Sequence, residues 1–413
     1  MHIPTLIARK REGEELEAVE IECLINGYVT GEVPDYQMSA FAMAVFFQGM
    51  TPREIAALTG SMIRSGVVFQ HPSGSPVVDK HSTGGIGDKV SLILAPLVAA
   101  AGCRVPMVSG RGLGITGGTL DKLESIPGFR VGISMEEAGE LLEKNGLVMM
   151  GQTDRFCPAD KKLYALRDVT GTVPSIALIT ASIMSKKMAE SLEKLVLDVK
   201  WGSGAFMKTK EDARKLADEM AAVGAEMGVE VTAVLNEMSE PLGRTVGNAL
   251  EVIESIECLN GGGPDDLRKI VLDLSEKIAG VSRGKLEELL DSGAARKKFD
   301  EMVISQGGAL EDLGRLDEIH KAEVIREVFS ASGGGVSRVD AGIIGQASLE
   351  LGAGRAKAED AVDFAVGIDR LVKIGEKISE GDLIARIHSR TEEAADLAMA
   401  QILAAIRVDP ISE

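Results

Sequence analysis

A short segment near residue 80 places a lysine, a histidine and two hydroxyl side chains directly before a run of glycine. It reads Lys80-His81-Ser82-Thr83 and continues through the glycines to Asp88, between a strand-like run and a helical one. Glycine lets backbone N–H groups turn toward a ligand, the start of a helix adds positive potential, and the lysine supplies a full charge. We therefore predict a phosphate site, although a sharp structural loop would also need glycine. The segment is not a P-loop, because its lysine precedes the glycines. His81 is a candidate for acid catalysis or for hydrogen bonding to the transition state.

A second glycine-rich segment runs from Ser109 to Thr119, after a strand-like run at Val105 to Val108. Its five glycines alternate with Ser, Arg and Thr, so that the backbone can approach a ligand closely. Ser109 and Thr119 add hydroxyl donors at its two ends. Two such loops after successive strands favour one site at the carboxyl edge of a sheet.

Cationic side chains also occur inside an otherwise apolar helical stretch. The segments are Tyr164 to Asp168 and Ser182 to Lys187, and Lys186 lies one helical turn beyond Ser182. The guanidinium of Arg167 is a fixed donor array that suits carbonyl oxygens and ring nitrogens. Arginine and lysine usually lie on solvated faces, but apolar surroundings favour a second half of the same site.

The elements that position these segments alternate along the chain. The first ~65 residues have helical periodicity, with Leu16, Val19 and Leu24 on one apolar face that ends near Asn26-Gly27, and a capping box at Thr51-Pro52-Arg53-Glu54. Strand-like runs then alternate with helical ones, which is typical of a mainly parallel sheet covered by helices. We predict an α/β protein with a helical domain (1–68 and 159–194), a larger α/β domain (69–158 and 195–328) and a small C-terminal α+β domain (329–413).

The composition restricts the ligands and the compartment. With 45 Lys and Arg against 63 Asp and Glu, the net charge is −18, which disfavours nucleic acid and requires a local positive site for phosphate. The four cysteines, Cys23, Cys103, Cys157 and Cys258, form no CxxC pair. This spacing, together with the lack of an N-terminal signal pattern, predicts a reduced, cytoplasmic protein. The longest apolar run, Val90 to Ala101, is too short to cross a bilayer, so we expect no membrane association.

Together these segments resemble the thymidine phosphorylase and pyrimidine-nucleoside phosphorylase family. The similarity covers nearly the whole chain and is strongest between residues 79 and 206. The strings that carry it are Lys80-His81-Ser82-Thr83-Gly84-Gly85, Ser109-Gly110-Arg111-Gly112-Leu113-Gly114, Thr116-Gly117-Gly118-Thr119-Leu120-Asp121-Lys122-Leu123-Glu124, Tyr164 to Asp168, Ser182 to Lys187 and Gly202-Ser203-Gly204-Ala205-Phe206.

The resemblance implies an enzyme, a pentosyltransferase of the nucleoside phosphorylase–phosphoribosyltransferase fold type. Phosphate would split thymidine, deoxyuridine or uridine reversibly into free base and a (2-deoxy)ribose 1-phosphate, without an organic cofactor, in a homodimer whose cleft lies between the helical and α/β domains. The matching positions assign phosphate to Lys80, Ser82, Ser91, Ser109 and Thr119, and the base to His81, Leu113, Tyr164, Arg167, Val173, Ile179, Ser182 and Lys186. Lys80, His81, Arg167 and Lys186 would carry the catalysis.

The sequence departs from relatives at three places. Ile115 stands where many relatives have histidine, and Gly171 and Pro174 alter the segment after Arg167. Lys89 replaces a small residue that helps some relatives to bind a potassium ion, although some thymidine-phosphorylase-type members also carry lysine there. The ion's ligand set would be Gly87, Lys89, Leu242, Thr245 and Glu254, and the sequence leaves open whether the ion binds.

Other functions fit the same features less well. A phosphoribosyltransferase of this fold would need clustered acidic residues for a metal–pyrophosphate site, and a nucleotide phosphorylase usually has an extra N-terminal domain. A non-catalytic nucleoside-binding protein would not need the complete set of Lys80, His81, Arg167 and Lys186. A biotinyl or lipoyl carrier role for the C-terminal domain would need a Met-Lys-Met turn, which that region lacks.

Overall fold

The structure is a computed structural model that describes residues 1–71, 74–112, 114–355, 357 and 360–410. The helices are α1 (Ile3–Arg11), α2 (Ala18–Thr30), α3 (Asp35–Gln48), α4 (Pro52–Arg64), α5 (Val90–Ala100), α6 (Thr119–Glu124), α7 (Met135–Asn145), α8 (Pro158–Thr170), α9 (Ile176–Ala189), α10 (Lys210–Glu226), α11 (Asn248–Leu259), α12 (Asp265–Ile278), α13 (Arg283–Asp291), α14 (Ala294–Ser305), α15 (Leu310–Leu313), α16 (Leu316–Ile319), α17 (Ala341–Leu351) and α18 (Glu392–Ala405). The strands are β1 (Val78–Ser82), β2 (Val105–Ser109), β3 (Leu147–Gly151), β4 (Lys194–Trp201), β5 (Glu230–Glu237), β6 (Val324–Phe329), β7 (Gly334–Val339), β8 (Gly367–Asp369), β9 (Lys377–Ile378), β10 (Leu383–Ser389) and β11 (Ile406–Asp409).

A parallel sheet in two sections forms the centre of the molecule, as predicted. One section has the order β1-β4-β5 and the other pairs β2 with β3. A parallel bridge between Val77 and Arg104 joins the sections, so the five strands run in the order β3-β2-β1-β4-β5. Because these strands are parallel, their carboxyl ends meet at one edge, and Ser82 and Ser109 both lie there as the last residues of β1 and β2.

The two sections separate beyond that bridge, and the end of α9 fills the gap. The Lys187 ammonium donates to Asp79 of β1 and, at 2.9 Å, to the carbonyl of Val108 in β2, while Glu190 accepts from the Val108 N–H at 3.0 Å. Burial and the neighbouring Asp79 raise the pKa of Glu190 well above its ordinary value. Lys187 and Glu190, both buried at the end of α9, thus form a wedge between β1 and β2.

The predicted helical starts are largely confirmed. Thr51 caps α4 through a complete capping box with Glu54, and Ser134 and Thr209 cap α7 and α10. The predicted end of α2 near Asn26-Gly27 is wrong, because the helix continues to Thr30.

Strand β1 also extends further than predicted. The strand-like run before the first glycine-rich loop continues to Ser82, so Lys80 and His81 project from a strand and only the residues after Ser82 form the loop. This gives the two side chains a rigid support.

The buried apolar side chains form separate cores on the two faces of the sheet. On one face α1 to α4, α8, α9 and α10 share a core, and on the other α5 packs with α11 to α14. The C-terminal segment has its own core, between the antiparallel sheets β6-β10-β8 and β11-β7-β9 and the helices α17 and α18. Among the described residues, no helix is both long and apolar enough to cross a membrane.

Candidate functional site

The phosphate side of the predicted site is built at the end of β1. Lys80 is buried, and its ammonium lies 3.5 Å from the hydroxyl of Ser91, the second residue of α5. Two carboxylates flank it, Asp88 at 3.8 Å and Asp198 of β4 at 3.7 Å. Both distances exceed that of a hydrogen bond, so the ammonium keeps donors available to an incoming anion.

A second buried lysine lies beside this group. Lys200 of β4 pairs with Asp198 at 2.8 Å. Burial alone would raise the pKa of the Asp88 carboxyl, but the ammonium groups of Lys200 and Lys80 hold it well below its usual range. The Asp88 carboxyl is therefore negatively charged at neutral pH. Ser82 donates to Asp88 and accepts from the Gly84 N–H at 3.2 Å, which fixes the start of the loop.

His81 lies between two groups of positive charge. Burial lowers its pKa well below the ordinary value, and the ammonium groups of Lys187, Lys186 and Lys80 lower it further. The imidazole is therefore neutral near pH 7 and can donate one N–H without being a cation.

The second glycine-rich loop connects Ser109 at the end of β2 to Thr119, the first residue of α6. The loop folds tightly on itself, since a Cβ on Gly118 would lie 2.0 Å from the Gly112 nitrogen. The Gly112 N–H donates to Asp121 at 2.7 Å, and the Lys122 ammonium donates to the Asp88 carbonyl at 2.9 Å. The second loop is thus attached to the first. Leu113 lies outside the described residues.

The base side of the predicted site lies on α8 and α9. The Lys186 ammonium donates to Asp160 at 2.6 Å and to the hydroxyl of Ser182 at 3.0 Å, one helical turn away as predicted from the spacing. Tyr164 is exposed on α8, and the predicted ring contacts Val173 and Ile179 are partly buried.

Most of the Arg167 N–H groups already donate to backbone carbonyls of the protein. Its guanidinium donates to the carbonyls of Leu178 at 2.9 Å, Val173 at 2.7 Å and Thr172 at 3.4 Å. Since a guanidinium carries five N–H groups, two remain beyond these three bonds. Burial lowers the pKa of Arg167 to about 10, so it stays charged at neutral pH. Gly171 and Pro174 flank the turn that these bonds hold, and Gly171 ends α8 with a left-handed backbone (φ 68°).

Ile115 points away from the charged groups. It packs against the C-terminal core beside Ile86 and Gly345, where a Cβ on Gly345 would lie 3.3 Å from the Ile115 Cβ.

Sequence reasoning missed the carboxylates that hold the lysines. Asp198 of β4, Asp160 of α8 and Asp88 after the first loop lie next to predicted site lysines, and Lys200 pairs with Asp198. The clearest signal was the charge of Asp198 and Lys200 inside the otherwise apolar strand β4, since buried charged residues are almost always paired.

The predicted potassium ligands surround an ammonium group. The buried Lys89 donates to the Leu242 carbonyl at 3.1 Å, to the carbonyl and hydroxyl of Thr245 at 3.1 and 3.0 Å, and to Glu254. Gly87 packs against the same segment, where a Cβ would lie 2.5 Å from the Leu242 oxygen. The oxygens that would face an ion face the lysine.

Three family models match the chain. They are described as the glycosyl transferase family helical bundle domain (residues 4–66), the glycosyl transferase family a/b domain (residues 74–310) and the pyrimidine nucleoside phosphorylase C-terminal domain (residues 335–409).

Two relatives that match over nearly their whole length are named pyrimidine-nucleoside phosphorylase. A pyrimidine-nucleoside phosphorylase of Staphylococcus haemolyticus is 47% identical over 407 residues, which cover 96% of this chain and 94% of the relative. One of Bacillus subtilis is 45% identical over 418 residues, covering 99% and 96%. Among solved structures, anthranilate phosphoribosyltransferase of Thermus thermophilus aligns with a TM-score of 0.60 at 20% identity, covering 73% of this chain and 98% of that one. That likeness shows the fold alone.

Proposed function

We infer, because the chain belongs to the pyrimidine-nucleoside phosphorylase family, that it catalyses the reversible phosphorolysis of pyrimidine nucleosides to free base and pentose 1-phosphate. It is a pentosyltransferase, with phosphate as the co-substrate and no organic cofactor. The single observation that supports this best is the buried Lys80 ammonium at the end of β1, which lies 3.5 Å from the Ser91 hydroxyl and beyond hydrogen-bond distance of Asp88 and Asp198.

In the proposed chemistry, the side of the site around Lys80 acts on phosphate, and the side formed by Lys186 and Arg167 acts on the base. Lys80, Ser82, Ser91, Ser109 and Thr119 would hold phosphate so that one of its oxygens attacks the anomeric carbon of the sugar. As that C–O bond forms, the C–N bond breaks and its electron pair passes to the base. Lys186 and Arg167 would stabilise the negative charge that develops there, and His81 would donate to a base carbonyl. Closure of the cleft would bring the two substrates together and exclude water.

The test is base release from uridine, thymidine and deoxyuridine, each with and without phosphate. We expect release only with phosphate, together with a sugar 1-phosphate product. The absence of phosphate-dependent release from all three nucleosides would refute the assignment. The alternatives named above are not favoured, because relatives at 45–47% identity over nearly the full length are phosphorylases, whereas the phosphoribosyltransferase shares only 20% identity.

We propose further that the Lys89 ammonium replaces the potassium ion of some relatives. The carboxylate and carbonyl oxygens of the ligand set are already bound to one buried positive charge. A potassium ion would add a second charge at the same place, so these residues do not fit the ion.

Activity should therefore be equal in potassium and in a bulky organic cation at the same ionic strength. Lys89→Thr should become potassium-dependent, because it leaves Glu254 buried without a cation. Lys269→Thr is the matched control, since Lys269 is exposed and pairs with the nearby Asp273 in the neighbouring turn of its helix. A wild-type enzyme that needs potassium would refute the proposal.

A homodimer is the proposed assembly, and α3 offers a surface for it. Tyr36, Ala40, Met43 and Phe47 recur at helical spacing on one face; Tyr36 is 74% and Phe47 76% exposed. An exposed apolar stripe of this kind is typical of an interface. Phe47→Asp should yield monomers in light scattering, whereas Leu397→Asp, at an exposed position in α18, should not. An unchanged mass for Phe47→Asp would exclude this stripe as the interface.

A further inference from the structure

Arg355 of the C-terminal segment forms polar contacts with the second glycine-rich loop and with the helix that follows it. Its carbonyl accepts from the Gly114 N–H at 2.8 Å, which forms an isolated antiparallel bridge. Its guanidinium donates to Asp121 at 2.7 Å, and both side chains are buried. The two residues are 234 positions apart in the chain, so this ion pair joins the C-terminal segment to the centre of the molecule.

The Asp121 carboxylate links Arg355 to the backbone of the loop. One carboxylate oxygen receives the Arg355 guanidinium, and the other accepts from the Gly112 N–H at 2.7 Å. A Cβ on Gly118 would lie 2.6 Å from that second oxygen, so the carboxylate fits closely between the two arms of the loop. Arg111 also approaches Asp121, at 3.3 Å, but it is exposed and pairs mainly with Glu124.

The ends of this loop are the predicted phosphate donors Ser109 and Thr119. A buried carboxylate that loses its cation carries an uncompensated charge and shifts or takes up a proton. Either change would alter the Gly112 contact and move the loop. A displacement of about 1 Å in a positioned donor is enough to cost on the order of 10²-fold in rate.

We propose that Arg355 is a positioning residue through which the C-terminal segment sets the affinity for phosphate. It acts through Asp121 and the loop and does not itself touch the substrate. This inference rests on the proposed function, because it assigns the loop to phosphate.

The experiment compares Arg355→Met and Arg355→Lys with wild type and with Arg326→Gln. Arg326 lies in the same C-terminal segment but forms only exposed pairs with Glu392 and Asp396. In Arg355→Met the phosphate KM should rise by about tenfold or more, while the nucleoside KM stays within about twofold. Arg355→Lys should recover part of the loss, because one ammonium can still reach Asp121, and Arg326→Gln should match wild type.

A rise in the phosphate KM without a rise in the nucleoside KM distinguishes a positioning role from simple structural damage. Lost folding would reduce kcat through the active fraction and leave both KM values unchanged, and that result in Arg355→Met would overturn the inference. An unchanged phosphate KM in a folded Arg355→Met would do the same. If the methionine variant does not fold, the lysine variant decides, and a wild-type phosphate KM there counts against the proposal. A wild-type enzyme without phosphate-dependent cleavage would instead refute the proposed function.

Discussion

Lys80→Ala should lower kcat/KM for phosphorolysis by about 10³-fold, at the upper end of what the loss of one transition-state donor costs. The large effect has a structural reason. Asp88 and Asp198 lie 3.8 and 3.7 Å from the Lys80 ammonium, so its removal leaves two carboxylates facing the incoming phosphate. Repulsion then adds to the lost attraction, and Lys200 and Lys122 remain to balance the two carboxylates.

Steady-state kinetics with varied phosphate would measure this effect. The matched control is Lys194→Ala, because Lys194 lies at the other end of the neighbouring strand β4 and forms only an exposed pair with Glu230. Circular dichroism would establish that the variant is folded. A near-normal phosphate KM and turnover in Lys80→Ala would remove Lys80 from the phosphate site.

Lys186→Met should lower kcat/KM for every pyrimidine nucleoside by about 10²–10³-fold, or roughly 2–4 kcal/mol of transition-state free energy. The variant should also be less stable, because Asp160 is buried and loses the ammonium 2.6 Å away. The two effects must be separated before the rate is interpreted.

A double variant separates them. Lys186→Met with Asp160→Leu removes the buried charge as well as its partner, so the free energy of unfolding should recover while the rate stays low. Lys161→Met on α8, next to Asp160, is the control, since Lys161 is exposed and pairs with Asp154. Unchanged kcat/KM in the single variant, or a rate that recovers with stability in the double variant, would contradict the role proposed for Lys186.

The parts of the molecule that could be predicted depend on neighbours in sequence. Residues within a few positions of one another determine three of these parts. They are the capping box of Thr51 and Glu54, the helical turn from Ser182 to Lys186 and the β-strand before the second loop. Local hydrogen bonds and periodicity determine such elements, so the pattern contains the information. The parallel sheet followed from the alternation of strand and helix.

The errors arose where packing decides the outcome. Gly27 was predicted to end α2, but the helix continues through it to Thr30, and Val33 packs against it, with a Cβ position only 2.8 Å from the valine methyl. Val19 was placed on the apolar core face, yet it is 63% exposed. Asp198, which flanks Lys80, and Glu254, which pairs with Lys89, come from more than 100 residues away, and no local pattern identifies them.

The wedge between β1 and β2 has a consequence for how the molecule comes together. The Val108 N–H and carbonyl, and the carboxylate of Asp79, find their partners only in Lys187 and Glu190 at the end of α9. The sheet cannot complete its hydrogen bonds until a helix from the opposite side has docked, and that helix cannot bury its charged end without the sheet. Each side satisfies buried polar groups of the other, so the docking of α9 and the completion of this part of the sheet stabilise one another.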